Sequence, residues 1–214
     1  MVSKSHSVKE IEIVRKGYES VSMKYRKEKD PDQDKIPLFR DFMDHENNNI
    51  ILELGCGTGF PIGNALLDAG KNYTDIDLSE KQIQLARNEF PPWSNHFLVA
   101  EKLEFCRNQG SESFTGVVSM FSIRHLPRIH HAELYDEIYR ILKPDGLLFI
   151  DCTIEPHDGA TDDWTNMGTD LMYWSGFSKK WTMRTLEDLQ FKLISTFEDI
   201  KTFLTKKRRH YYYF

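Results

Sequence analysis

The segment Glu53-Leu54-Gly55-Cys56-Gly57-Thr58-Gly59 decides the fold of this 214-residue chain. It follows the apolar run 50–54, which is typical of a buried parallel strand, and it precedes a helical pattern over 61–69. Glycines at such a turn let a ligand approach the backbone, and the helix N-terminus offers free N–H groups. The segment therefore predicts a nucleotide-type crevice. Phe60 stands where the dinucleotide fingerprint G-x-G-x-x-G has its third glycine, so the spacing favours a ligand without a pyrophosphate.

A carboxylate ends the next predicted strand, 72–77. Asp77 can accept hydrogen bonds from both hydroxyls of a ribose, or it can cap the following helix beside Ser79. Ser79 and Gln82 themselves form a capping box. We favour the ribose, because nucleotide-binding sheets place an acidic residue at this strand end.

The pattern outside the crevice alternates between strands and helices. Two helical patterns, 8–25 and 36–45, make an N-terminal cap over residues 1–46, and predicted strands follow at 50–54, 72–77, 97–100, 116–121 and 147–152. This alternation favours an α/β fold with a parallel sheet and helices on both faces. Two final strands, 191–202 and 208–214, are close in sequence and should pair antiparallel. The length suits a single domain over 1–214.

The composition excludes several classes of protein. A net charge of -5 disfavours a nucleic-acid partner. Because the chain has neither a signal region nor an apolar run long enough to span a membrane, we expect a soluble, cytoplasmic protein, either monomer or homodimer. The three cysteines show no C-x-x-C spacing and the histidines no H-E-x-x-H motif, so we expect no metal site.

From about Gly17 to its C-terminus, the chain resembles the class I S-adenosylmethionine-dependent methyltransferases. The likeness is carried by the segments 18–25 (YESVSMKY), 53–59 (ELGCGTG), 75–83 (DIDLSEKQI), 113–119 (SFTGVVS) and 140–146 (RILKPDG). It implies a Rossmann-like, doubly wound, seven-stranded sheet of order 3-2-1-4-5-7-6 with strand 7 antiparallel. It also implies S-adenosylmethionine as the cofactor. Gly116 departs from the family, which usually has Asp there.

The resemblance implies a role for each matching residue. Gly55, Gly57 and Gly59 would line the methionine and ribose portions, Asp77 would hold the ribose, and Leu78 would pack on adenine. The other implied cofactor residues are Glu53 at the loop or the methionine amine, Glu101 at the adenine amine, Met120 and Phe121 beside the methionine portion, Tyr18 and Tyr25 closing over the cofactor, and their neighbours Cys56, Thr58, Gln82 and Lys102.

Methyl transfer from a sulfonium needs an aligned nucleophile, and a hydroxyl or protonated amine also needs a base. His125, after strand four, and Asp151, near the end of strand five, are the candidates. Alternatively, His125 caps a turn before Pro127, and Asp151 holds a backbone amide. Arg124 would bind an acidic group of the substrate or face solvent.

Segment 153–180 interrupts the alternation and is rich in aromatic and methionine residues, which make adaptable apolar pockets. We expect it to be a lid over the acceptor; a core helix is the alternative. Its candidate substrate-binding residues are Trp164, Met172, Tyr173 and Trp174.

The sequence therefore predicts methyl transfer to the O, N or S atom of a small-molecule acceptor. An inactive methyltransferase-like subunit that binds a protein partner is the alternative.

Overall fold

The computed structural model describes residues 4–28, 37–153, 156–161, 171–199 and 209–213. The α-helices are α1 Lys4–Glu28, α2 Pro37–Asp44, α3 Ile62–Asp68, α4 Glu80–Glu89, α5 Lys102–Arg107, α6 His131–Ile141 and α7 Lys179–Asp188. The strands are β1 Ile50–Leu54, β2 Asn72–Asp77, β3 Phe97–Val99, β4 Phe114–Ser119, β5 Leu142–Thr153, β6 His157–Thr161, β7 Met172–Gly176, β8 Ser195–Asp199 and β9 Arg209–Tyr213. Short 3-10 turns cover Pro91–His96, Ile123–His125 and Arg128–His130.

The main sheet has the strand order β3-β2-β1-β4-β5-β9-β8. The first five strands in this order, from β3 to β5, pair in parallel. β9 lies between β5 and β8 and runs antiparallel to both. The predicted α/β fold with a mostly parallel sheet is confirmed.

Each face of the sheet buries its own apolar cluster. On β1, Leu52 faces a cluster that includes residues of α5, α6 and α7, while Ile51 faces a cluster that includes residues of α2, α3 and α4. Both side chains are fully buried. A strand covered on both faces needs a continuous apolar run, which explains the sequence of β1.

The described parts of segment 153–180 differ from the core helix that was the alternative to a lid. They contain β6 and β7, which pair antiparallel as a separate two-stranded ribbon, and the start of α7. The ribbon packs against α1: a Cβ on Gly17 would lie 2.6 Å from Met172 Cε. The core helix is therefore wrong for residues 157–161 and 172–176.

The start of β5 and the end of β4 also differ from the predictions. β5 begins at Leu142 rather than at 147, because the Lys143-Pro144-Asp145-Gly146 turn lies within the strand as an irregularity in its pairing with β4. β4 ends at Ser119, which leaves Met120 and Phe121 in the loop beyond it.

The sheet places the glycine loop at a topological switch point. The chain leaves β1 toward β2 on one side, while β4 pairs with β1 on the other. Ligands of open α/β sheets bind in the crevice at the carboxyl ends of such strands. None of the helices within the described ranges has the length and hydropathy of a membrane span.

Candidate functional site

The glycine loop adopts backbone angles that favour glycine. Gly55, Gly57 and Gly59 have φ of 88°, 60° and 74°, in the left-handed region that side chains disfavour. Gly55 is also sterically confined, because a Cβ there would lie 2.0 Å from Ser122 Oγ. The loop therefore lies close against the segment that follows β4.

Asp77 closes the loop from the end of β2. The Gly57 N–H donates to its Oδ2 at 2.9 Å, and the Ser79 N–H donates to its Oδ1 at 2.8 Å. The helix-side contact that the sequence analysis gave as an alternative is thus present. A carboxylate has about four lone-pair sites, so Asp77 can accept further hydrogen bonds from a ligand in the cleft that it lines.

A cleft opens between α1 and the carboxyl ends of the strands. Ten of the predicted site residues line this cleft: Tyr18, Gly55, Gly57, Asp77, Leu78, Gln82, Lys102, Met120, Phe121 and His125. Sequence reasoning missed six further lining residues: Val14, Arg15, Ile76, Ser79, Ala100 and Ser122. Val14 and Arg15 lie one helical turn before Tyr18, so helical spacing could have identified them.

Gln82 brings an unsatisfied amide to this cleft. The residue is 1% exposed, and within the described part of the chain neither Nε2 nor Oε1 has a hydrogen-bond partner. Buried amides are rarely left without partners. This amide and the open glycine loop fit a nucleoside such as that of S-adenosylmethionine, whose base and ribose offer donors and acceptors.

Glu101 and Lys102, at the start of α5, have different roles. The Glu101 carboxylate caps the helix, accepting from Leu103 N at 3.1 Å and from Glu104 N at 2.8 Å. Its side chain is not part of the described cleft lining, whereas Lys102 is. Burial lowers the pKa of the Lys102 ammonium, and the Glu101 and Asp77 carboxylates partly oppose that shift.

His125 is buried and sits in a defined tautomer. Its Nδ1 lies 2.9 Å from the carbonyl oxygen of Tyr173, which can only accept, so Nδ1 carries the proton. The bare Nε2 accepts from the Tyr18 hydroxyl at 2.8 Å. Burial lowers the pKa of His125 to about 3, so the ring is neutral at physiological pH. The Trp174 ring packs at 4.5 Å from the imidazole.

Asp151 serves the backbone rather than the cleft. Its Oδ1 accepts from the Phe121 N–H at 2.6 Å, and its Oδ2 pairs with Arg124. The contact stabilises Phe121 in a left-handed conformation, φ 59°. Asp151 therefore makes the backbone-amide contact that was its alternative role, and it lies outside the described cleft lining.

Arg124 likewise turns inward. It pairs with Asp151 and lies over the Phe121 ring at 5.2 Å. Its side chain is 15% exposed, so it neither faces solvent nor reaches the described lining of the cleft.

The predicted substrate-binding residues of β7 lie outside the described lining of the cleft. Met172 and Tyr173 pack with Val14 of α1, and the Tyr173 hydroxyl donates to Asp158 Oδ1 at 2.6 Å. Trp174 contacts His125 rather than the described lining. Trp164 lies outside the described residues, as does the side chain of Tyr25.

The remaining loop residues point away from the cleft or are sealed beneath it. Cys56, Thr58 and Glu53 are buried and are not part of the described lining, nor is Gly59. Glu53 pairs in register with Asp75, and burial together with these carboxylates raises the pKa of the Tyr73 hydroxyl. The described residues hold no cluster of three or more His, Cys, Asp or Glu that could bind a metal.

Comparison with known proteins bears on this site. Residues 52–150 match a family model described as a methyltransferase domain. A 24-methylenesterol C-methyltransferase 2 of Oryza sativa is 28% identical over 109 residues, covering 50% of this chain and 30% of that protein. A demethylmenaquinone methyltransferase of Chlorobaculum parvum is 32% identical over 106 residues, covering 50% of this chain and 40% of that protein. The chain thus spans less than half the length of these two relatives.

One solved structure extends the likeness to the whole fold. A Burkholderia thailandensis 1,6-didemethyltoxoflavin-N1-methyltransferase, solved with its substrate and S-adenosylhomocysteine, aligns with a TM-score of 0.70. The alignment covers 100% of this chain and 90% of that one, at 16% identity.

Proposed function

We propose that this chain is a member of the class I S-adenosylmethionine-dependent methyltransferase family and that it transfers a methyl group from S-adenosylmethionine to a small-molecule acceptor. One observation carries the proposal: the cleft between α1 and the sheet joins the Asp77-closed glycine loop to the Tyr18–His125 pair. The first feature suits a nucleoside and the second suits a group that carries a proton. A protein that binds a nucleotide but catalyses no reaction would need only the glycine loop.

The strand order supports an orientation for the donor along the cleft. Leu78, Ala100 and Lys102 lie at the ends of β2 and β3, whereas Met120 and Phe121 follow β4 on the other side of the loop. We assign the adenine to the β2–β3 end and the methionine portion to the β4 end. When bound, S-adenosylmethionine supplies an activated methyl group on sulfur. The chain's own task is to align the acceptor with it.

The Tyr18–His125 pair would orient the acceptor and take its proton. Because Nε2 is bare and the Tyr18 hydroxyl donates to it, the Tyr18 oxygen presents lone pairs to an O–H or N–H in the cleft. A proton leaving the acceptor would pass to Tyr18 as the Tyr18 proton moves to Nε2. The pKa of about 3 makes the neutral His125 ring a weak base, so this transfer would require an acceptor whose proton becomes acidic as the bond to the methyl group forms.

The acceptor is proposed to have an apolar body. Val14, Met120 and Phe121 supply apolar surface beside Tyr18, and Trp174 backs His125. The names of the two relatives above describe a methyltransferase of 24-methylenesterol and a methyltransferase of demethylmenaquinone. Apolar pockets with a few fixed polar groups are typical of small-molecule sites.

Binding of S-adenosylhomocysteine, measured by calorimetry, tests the donor site. We expect saturable binding, weakened about ten- to a hundredfold in Asp77→Ala, because charge-assisted hydrogen bonds contribute about 1.5–3 kcal/mol. Asp136→Ala, at an exposed aspartate on α6, is the matched control. The absence of binding at millimolar ligand would refute the proposed function.

Transfer of a labelled methyl group to fractionated cell extract tests the acceptor class. We expect label in an organic-soluble fraction, and Tyr18→Phe should slow transfer while changing cofactor affinity little. Label only in protein or nucleic acid would refute the acceptor class. Cofactor binding with no transfer to any fraction would favour the inactive subunit instead.

A further inference from the structure

The start of α4 forms only half of its capping box. Ser79 Oγ accepts from the Gln82 N–H at 3.2 Å, as a capping box requires. The reciprocal bond would run from the Gln82 side chain to the Ser79 N–H, but that N–H already donates to Asp77. The Gln82 carboxamide is thereby released from its usual local partner, which explains why it is unpaired.

The released amide lies at the adenine end of the cleft. Gln82 lines the cleft together with Leu78, Ala100 and Lys102, which follow β2 and β3. Residues after β4 line the opposite end. Glu101, which the family resemblance assigns to the adenine amine, caps α5 and is not part of the described lining of this cleft. Gln82 and Lys102 join Asp77 and Ser79 as the polar side chains at this end of the described lining, and Gln82 supplies the amide among them.

The buried Gln82 amide has no hydrogen-bond partner within the described part of the chain, and this is costly. Each buried donor or acceptor without a partner costs about 1–3 kcal/mol. A carboxamide offers one donor and one acceptor side by side, which matches the adjacent amino group and ring nitrogen of adenine. Glutamine recognises adenine through this bidentate pattern in nucleic acids.

We propose that Gln82 is the specificity-determining residue for the adenine base, with Oε1 accepting from the 6-amino group and Nε2 donating to a neighbouring ring nitrogen. This assignment rests on the proposed function. It makes the 6-amino group of the cofactor a requirement for tight binding, and it attributes base selectivity to α4 rather than to the residue after β3.

The unaltered protein provides a first test. We compare the dissociation constant of S-adenosylhomocysteine with that of its analogue lacking the 6-amino group, in which purine replaces adenine. The analogue leaves Oε1 unpaired, so we expect it to bind about ten- to a hundredfold more weakly. Equal binding of the two ligands would overturn the assignment.

Gln82→Met provides the second test, with the exposed Gln84→Met of the same helix as control. The variant should bind both ligands with affinities within about threefold of each other, because the group that distinguishes them is gone. It should also raise the melting temperature of the ligand-free protein, since an apolar side chain removes an unsatisfied amide. Gln84→Met should keep the discrimination of the parent.

The outcomes separate this inference from the proposed function. Failure of the parent protein to bind S-adenosylhomocysteine refutes the proposed function. Binding with full discrimination retained in Gln82→Met refutes only the role of Gln82. A purely structural role would weaken both ligands by the same factor and lower the melting temperature, which is the opposite of the expected shift.

Discussion

Lowering the pH from 7 to 5 should destabilise the folded chain through two buried histidines, His125 and His131. Burial lowers their pKa values to about 3 and about 4, against about 6.5 in an unfolded chain. The His131 Nε2 lies 2.9 Å from the Leu126 carbonyl and 2.8 Å from Ser175 Oγ. Both rings thus stay neutral in the folded state while the unfolded chain takes up protons.

The size of the effect follows from linkage between folding and protonation. Below pH 6.5 the unfolded state binds more protons, so stability falls as pH falls, by about 1.4 kcal/mol per pH unit and per histidine. Between pH 7 and pH 5 this amounts to about 2 kcal/mol for each ring. The loss from His125 continues until pH reaches its folded pKa of about 3.

Urea unfolding at pH 7 and pH 5 measures this loss directly. His125→Asn keeps an N–H near the Tyr173 carbonyl but cannot titrate, so the loss between the two pH values should shrink by about 2 kcal/mol relative to the parent. His157→Asn, at an exposed histidine of β6, is the control and should leave the loss close to that of the parent. If His125→Asn shows the same pH dependence as the parent, His125 is not held neutral by burial.

Two further substitutions test the backbone of the site. Gly55→Ala should lower the melting temperature, because φ at this position is 88° and the new Cβ would lie 2.0 Å from Ser122 Oγ. Adding Ser122→Gly should restore only part of the loss, since about 1–2 kcal/mol of backbone strain remains. Full stability of Gly55→Ala alone would contradict this prediction. Arg124→Met should cost about 3–5 kcal/mol in urea unfolding, because it leaves the buried Asp151 without its ion partner. Arg184→Met, at an exposed position of α7, is the control, and a similar small loss in both variants would contradict the role of the pair.

The donor side of the site could be predicted from local patterns. A glycine loop after a buried strand and an acidic residue at the next strand end depend on short segments, and the structure brings Gly55, Gly57 and Asp77 together in one cleft. The choice among the possible partners of these groups could not be predicted. Whether Asp77 or Gln82 holds the Ser79 N–H is a competition between two side chains, decided by backbone geometry.

The two candidate bases illustrate the same limit. His125 and Asp151 looked equivalent in sequence, since His125 follows a predicted strand and Asp151 lies near the end of another, both at the crevice. The structure separates them through long-range contacts: His125 meets Tyr18, 107 residues away, while Asp151 meets the backbone of Phe121. The ribbon was missed because its apolar residues also suited a helix.

The docking of α1 gives the cleft a wall that the rest of the fold does not require. The helix supplies Val14, Arg15 and Tyr18 to the lining, and it is joined to α4 where the Lys81 ammonium donates to the Glu19 carbonyl at 2.9 Å. The sheet and its two apolar clusters are built from later residues. Assembly of the core and completion of the donor site are therefore separable events, so the population of the closed cleft depends on how firmly one N-terminal helix is docked.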